Sequence, residues 1–397
     1  MPPQAADPKL WFILGRESLL AAAEIDAVLG IKTYDFIAPI LKIATVVEPA
    51  GLMPRLGGTI KIAREIGTRL GAEELEQAII AELKTVSGKI NFGLSIYSSD
   101  KNDFANLKLA KELGKAIKKS LKAEGLSVRY VENREATLSS VTVEKNNLTG
   151  RGREFLIQKN HITFSLAKTE AVQPFEAFST RDFGRPGRDD VSGMLPPKLA
   201  MMMVNFARIS SQATLLDPFC GSGTILSEAL LLGYTNLIGT DISEKAISDT
   251  QKNIDWIADQ FNIGPSTFNC KLQAEPVEHI QQFLAQDSID AIVAEPYMGK
   301  PLKGRETKEE LLTQASELKK LFITAFTNFY KVLAPEGVVV FLIPRFRFQN
   351  EWITINCQKE IAALGFTISP FFENNMPLVY ARPEQRVARE VWRFVKN

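Results

Sequence analysis

The sequence predicts an α/β protein: a doubly wound domain with a parallel sheet over residues 192–397, behind an N-terminal α+β region. Three observations predict it. From position 214 onward, short apolar runs and longer amphipathic stretches alternate, as strands and crossover helices do in doubly wound sheets. The run Leu215-Leu216-Asp217-Pro218-Phe219-Cys220-Gly221-Ser222-Gly223-Thr224 reads as a buried strand, a glycine turn and the first turn of a helix. Asn236 to Asp241 then reads as a second strand that also ends in an acid.

In chain order, Leu10 to Leu14 is apolar and strand-like, and Ser18 suits the cap of a helix carrying Leu19, Leu20, Ala23, Ile25, Val28 and Leu29. Tyr34 to Val47 alternates as strands do, and Gly57-Gly58 marks a break before the next strand. An amphipathic helix is expected over 72–84. A second unit begins near Lys89, with a strand from Ile90 to Tyr97 and a helix from Asn106 to Glu124. Ala110, Leu113, Ile117 and Leu121 form the apolar stripe of that helix. Lys108, Lys111, Lys115, Lys118, Lys119 and Lys122 line its other side, either as a solvated face or as a surface for phosphates. Further strands are expected at 126–131, 138–144, 154–158 and 161–167. The expected organisation is a subdomain over 1–87, a second domain over 88–170, and a linker over 171–191 rich in Gly, Pro and charge. Arg181, Arg185 and Arg188 in that linker either meet a ligand or are neutralised by Asp182, Asp189 and Asp190.

The last domain opens on Met194-Leu195-Pro196-Pro197-Lys198-Leu199-Ala200, where Pro197 suits a first helical turn. Strands follow at 214–217, 236–240, 267–272, 289–293 and 337–343, with two more near 366–371 and 377–382. Helices are expected at 224–232, 244–260, 276–285 and 309–332.

Composition narrows the function. The 397 residues are 45% hydrophobic and 23% charged, as in a soluble globular protein of two or three domains. No apolar run approaches the ~20 residues of a membrane span. Met1 to Asp7 has neither the basic region nor the apolar core of a signal peptide. Three cysteines without metal spacing suit a reducing, cytoplasmic location, and the two histidines leave little for zinc chemistry or a Ser-His-Asp triad. No metal and no membrane partner is expected. Residues 1–168 hold 24 Lys and Arg against 19 Asp and Glu, and the remainder reverses the balance. The N-terminal part is therefore the better candidate for a polyanion.

The glycine turn points to a nucleotide-like ligand. Glycines let backbone approach a ligand closely, and the helix start behind them presents free N–H groups. Asp217 offers a carboxylate to a cationic group, and Asp241 stands where an acid takes ribose hydroxyls in nucleotide-binding sheets. A dinucleotide fingerprint needs a further Gly where Leu226 stands, and no Gly-Lys-Ser/Thr ending supplies a phosphate loop. Downstream, Glu295-Pro296-Tyr297 follows the fourth strand. A carboxylate and a backbone carbonyl there can accept the hydrogens of a base amino group and align it, while an aromatic ring stacks on the base. No cysteine has the neighbours of a C5-cytosine nucleophile.

Asp217 to Thr224 resembles motif I of the S-adenosylmethionine-dependent methyltransferases, the Rossmann-like class that methylates amino groups of bases. With Pro196 to Ala200, Asp241 and Glu295-Pro296-Tyr297, the chain is similar to the THUMP-containing tRNA guanosine N2-methyltransferases of the guanine-10 type. The resemblance implies a ferredoxin-like, THUMP-like RNA-binding N-terminal region that grips tRNA and a C-terminal domain that methylates it. It implies S-adenosylmethionine held by Pro196, Pro197, Lys198, the Asp217, Pro218, Phe219, Cys220, Gly221, Ser222, Gly223 and Thr224 turn, Asp241, Ile242, and Gln273 or Glu275 near the adenine. The acid-proline-aromatic set departs from the family's spacing, having one proline rather than two; alternatively Tyr297 takes the second proline's place and Met298 the aromatic one. Two other readings stay open: an N6-adenine methyltransferase on DNA or RNA, and an RNA-binding protein or a subunit that needs a small activating partner.

Overall fold

The computed structural model describes residues 9–32, 34–98, 102–132, 134–188, 194–373, 377–382 and 385–397. Met1 to Asp7, Asp189, Asp190, Ser192 and Gly193 lie outside them. Among the described residues no helix is long and apolar enough to cross a membrane. Two compact units emerge.

The first half of the chain runs β1 (Lys9–Leu14), α1 (Ser18–Leu29), β2 (Asp35–Ile37), β3 (Ile40–Ala44), α2 (Pro49–Leu52), β4 (Thr59–Leu70), α3 (Ala72–Lys84), β5 (Ile90–Ser98), α4 (Asp103–Ala123), β6 (Val128–Tyr130), α5 (Ser140–Lys145), β7 (Arg153–Asn160) and β8 (Thr163–Val172). The first unit is one eight-stranded sheet in the order β2-β3-β1-β4-β8-β7-β5-β6, so it runs across position 87 without a break. Its centre holds a buried charge cluster. Lys61 pairs with Glu154 and donates to the Leu138 carbonyl at 2.7 Å. Ser95 and Thr169 donate to the two Glu154 oxygens, each at 2.7 Å. A buried ion pair needs such satisfied partners to persist.

Residues 138–144, expected as a strand, instead form α5. The β-branched run Val141-Thr142-Val143 suggests extension, but the Ser139 hydroxyl accepts from the Thr142 amide at 3.2 Å and caps a helix. The expected linker holds α6 (Phe175–Phe183). Arg181 fastens it by donating to both Glu228 oxygens, at 2.7 and 3.2 Å.

The second unit takes α1 and the turn Leu56–Gly58 together with residues 177–397. Its elements are α7 (Pro197–Ala207), β9 (Thr214–Asp217), α8 (Thr224–Leu231), β10 (Asn236–Asp241), α9 (Glu244–Gln260), β11 (Asn269–Ala274), α10 (Ile280–Phe283), β12 (Ile289–Ala294), α11 (Lys308–Val332), β13 (Leu333–Phe348), β14 (Glu351–Thr354), α12 (Gln358–Ala363), β15 (Phe366–Ile368), β16 (Leu378–Tyr380) and β17 (Val387–Lys396). The main sheet path is β11-β10-β9-β12-β13-β17-β15. β9 to β13 are parallel, but β17 enters antiparallel between β13 and β15, correcting the expectation of a wholly parallel sheet. The chain steps from β9 out to β10 and β11, then returns to β12 on the other side of β9. That reversal opens a crevice at the carboxyl ends of the strands, where doubly wound folds bind ligands. Two apolar clusters cover the sheet, one built on α7, α8 and α9, the other on α11.

Glu24 of α1 lies fully buried in this unit. Its carboxylate accepts from the Gly57 and Gly58 amides and from Asn205 Nδ2, each at 2.8 Å. Burial outweighs these donors and pushes its pKa up to about 7. The folded chain therefore holds this proton more tightly than the unfolded chain. Stability falls as pH rises from about 4.5 to about 7, by roughly 3 kcal/mol from this group. Thermal melts across that range should show the decline, and Glu24→Gln should flatten it; an unchanged slope would remove Glu24 as its source.

Candidate active site

β9 ends on Asp217 and the chain turns through Gly221 and Gly223 into α8. Both glycines have positive φ, +53° and +79°. A Cβ on Gly223 would also stand 2.7 Å from the Thr250 methyl, so no side chain fits there. A Cβ on Gly221 would meet nothing within 4 Å, so the turn is open on that side.

α9 fastens the turn from behind. Thr250 Oγ1 donates to the Gly221 carbonyl at 2.8 Å, and Asn253 Nδ2 donates to the Ser222 carbonyl at 2.7 Å. In front, Asp241 at the end of β10 accepts from the Gly221 amide at 3.0 Å and from Ser243 at 2.9 Å. A carboxylate has about four lone-pair directions, so two such bonds leave acceptor capacity for hydroxyls. Ile242 beside it is 78% exposed, an apolar surface next to that acid.

Asp217 is buried and accepts from the Phe219 amide at 3.2 Å. Burial raises its pKa well above the usual carboxylate range; the charges of Asp241 and Glu295 raise it further, while the Phe219 amide opposes the shift. Three acids from the ends of β9, β10 and β12 thus converge, and their shared field favours a cation. Glu295 follows β12, on the far side of the switch. Arg389 of β17 donates to Glu295 Oε1 at 2.6 Å, with both side chains largely covered. Pro296 is buried and Tyr297 is 55% exposed.

The other expected residues make contacts of their own within the fold. Phe219 packs edge-on against Phe341, and the buried Cys220 thiol joins the core on the α7 side. The Thr224 hydroxyl is held by Arg185 Nη1. Pro196 and Pro197 start α7, and Pro197 lines a small cavity with Thr224, Arg181 and Arg185. The Lys198 ammonium stands 5.3 Å over the Phe178 ring. The Glu275 amide donates to the Asp241 carbonyl at 2.9 Å, which brings it to the end of β10; Gln273 lies on β11 opposite Thr240. Arg188 donates to the Phe183 carbonyl at 2.9 Å, so the arginines at 181, 185 and 188 all make contacts within the fold. The six lysines lie on α4 in the first unit, where Lys108 faces Glu112 at 3.8 Å and Lys111 faces Glu132 at 3.7 Å. Among the described residues no group of three or more His, Cys, Asp or Glu could hold a metal ion.

Sequence reasoning missed Arg389, Thr250 and Asn253. Arg389 carries no local signal, being 94 positions from its partner. Thr250 and Asn253 did carry one: with Asp249 they are buried polar residues on the core-facing side of an amphipathic helix.

Comparison with known proteins bears on the family and the fold. Residues 185–342 match the UPF0020 family, described as RMKL-like, methyltransferase domain. The tRNA (guanine(10)-N2)-dimethyltransferase of Methanocaldococcus jannaschii is 29% identical over 268 residues, 63% of this chain and 68% of that protein. A Methanothermococcus thermolithotrophicus protein named "Probable tRNA (guanine(10)-N2)-dimethyltransferase" is 30% identical over 149 residues, 37% of this chain and 80% of that protein. Among solved structures, TrmN from Thermus thermophilus shares the fold with a TM-score of 0.57 at 19% identity, covering 98% of this chain and all of that one. The glycine turn, the acids at the strand ends and these relatives lead to one assignment: the chain belongs to the tRNA (guanine(10)-N2)-dimethyltransferase family.

Proposed function

We propose that this chain is an S-adenosylmethionine-dependent tRNA methyltransferase acting on the N2 amino group of a guanine. The observation that carries the reading is the buried Asp217 between Asp241 and Glu295, beside a turn that is open at Gly221. A cationic amino acid joined to a nucleoside fits that donor set: acids for the positive charge, Asp241 for the ribose, and exposed Ile242 for the base. The cofactor, when bound, would supply a sulfonium-activated methyl group to the amino nitrogen.

The chain's residues do the rest. Arg389 holds Glu295 through Oε1 and leaves Oε2 for a substrate amino hydrogen. Glu295 then orients the amino group, and takes its proton as the nitrogen is alkylated. Tyr297, exposed beside it, offers a ring on which a base taken out of its stack can lie. The first unit would dock the RNA, with Lys115, Lys118, Lys119 and Lys122 of α4 outside the ion pairs found among the described residues. A small activating subunit belongs to the same proposal.

The test is incubation of the purified chain with labelled S-adenosylmethionine and unmodified tRNA, followed by nucleoside identification. N2-methylguanosine is the expected product. N6-methyladenosine would move the target to adenine. Cofactor binding without turnover would call for the activating partner, and absence of both cofactor and RNA binding would overturn the reading.

A further inference from the structure

The carboxyl edge of the sheet carries charge that the proposed chemistry does not use. Ala294, the last residue of β12, pairs with Phe341, yet β13 continues to Phe348. That overhang is about 20 Å long at ~3.3 Å per residue. β14 folds back along it, and β17 runs beside it from Val387 opposite Phe346. This projecting ribbon presents Arg347 and, just ahead of β17, Arg386; both are exposed. The Arg347 amide donates to the Arg386 carbonyl at 2.7 Å, so the two are adjacent.

The segment after Glu295-Pro296-Tyr297 comes to the same place. It brings Lys300, Lys303 and Arg305, all exposed. Gly304, with φ +88°, lies against the Arg386 guanidinium so closely that a Cβ would stand 2.3 Å from its central carbon. Glu306 accepts from the Lys303 and Gly304 amides and places its charge near Arg386, and Glu351 is paired with Lys308 at 2.7 Å, so the cations outnumber the acids at this edge. Arg389, three residues along from Arg386, holds Glu295. Arg386 therefore stands about 10 Å along the chain from the arginine that holds the acid facing the target base. The half of the chain with net negative charge gathers a positive cluster at this edge.

We propose that Lys300, Lys303, Arg305, Arg347 and Arg386 form an RNA-backbone surface on the methyltransferase unit itself, holding the phosphates that flank the target nucleotide. The inference rests on the proposed RNA substrate. Contacts at this position fix the register of the strand while Glu295 addresses the base. The helix α4 surface would then add affinity, and this surface the placement of the nucleotide.

The experiment is tRNA binding to the full chain from about 50 to about 200 mM salt, for wild type, a Lys300→Ser/Lys303→Ser/Arg305→Ser variant, and Arg386→Gln. The triple variant should bind roughly tenfold more weakly or worse. Its log–log salt slope should fall by about two, because each lost phosphate contact removes roughly 0.7–0.9. Arg386→Gln should lose a smaller share in the same sense, and cofactor affinity by calorimetry should stay at the wild-type value in both. If wild type binds RNA while both variants keep its affinity and slope, this inference alone is overturned. If affinity is lost only in a Lys115→Ser/Lys118→Ser/Lys119→Ser variant of α4, the same conclusion follows. Wild type that binds no RNA overturns the proposed substrate as well.

Discussion

Glu295→Ala is expected to lower kcat for methyl transfer by about 10²–10³-fold while S-adenosylmethionine affinity changes by less than about threefold. The argument is positional. Glu295 lies beyond β12, across the switch from the glycine turn, and its carboxylate is fixed by Arg389 at 2.6 Å rather than by the turn. Its loss should remove the acceptor for the amino hydrogens and spare the ligand cradle. Arg389→Gln tests the supporting role. Without the guanidinium, Glu295 loses the partner that fixes its Oε1, so kcat should fall, though less than in Glu295→Ala. Single-turnover rates with each variant at saturating cofactor separate the two effects. A Glu295→Ala variant with wild-type kcat would sink the assignment of that acid. A wild-type kcat in Arg389→Gln would reduce the pair to packing.

The two residues of that pair were not equally legible. Glu295 stands out because an acid, a proline and an aromatic follow a buried apolar run, a local pattern with a chemical reading. Arg389 comes from β17, whose insertion between β13 and β15 is set by long-range pairing and not by any local pattern. The same contrast runs through the fold. α3, β9 and α9 follow their apolar periodicity to the residue, since each buries one face or both against a layer. α5 does not, because one serine cap overrides the extended preference of three β-branched or hydroxyl neighbours. The motif itself was legible as a unit, but not where its side chains point: Phe219 packs against Phe341, Cys220 joins the core and Thr224 turns to Arg185. Alternation along a tight turn cannot be read from letters, because each side chain's direction depends on backbone angles such as those of Gly221 and Gly223.

Asp217→Asn should separate binding from stability, with opposite signs. In the protein without ligand, burial and the neighbouring acids raise the Asp217 pKa far above its ordinary 3.8. The folded chain then binds this proton more tightly than the unfolded chain, so stability falls as pH rises from about 4 through the raised folded value. An amide of the same shape carries no charge and keeps an oxygen for the Phe219 amide. The variant should therefore melt above wild type at neutral pH, with the gap closing below about pH 4. Its affinity for S-adenosylmethionine should drop by about 10–100-fold, the usual worth of a buried hydrogen bond to a charged group. Because a ligand stabilises the folded chain in proportion to the logarithm of its concentration over Kd, the order of the two melting temperatures should reverse as cofactor is added. A variant that melts below wild type without ligand would show that the carboxylate stabilises the fold. A variant whose melting temperature rises with cofactor as much as that of wild type would remove Asp217 from the binding site.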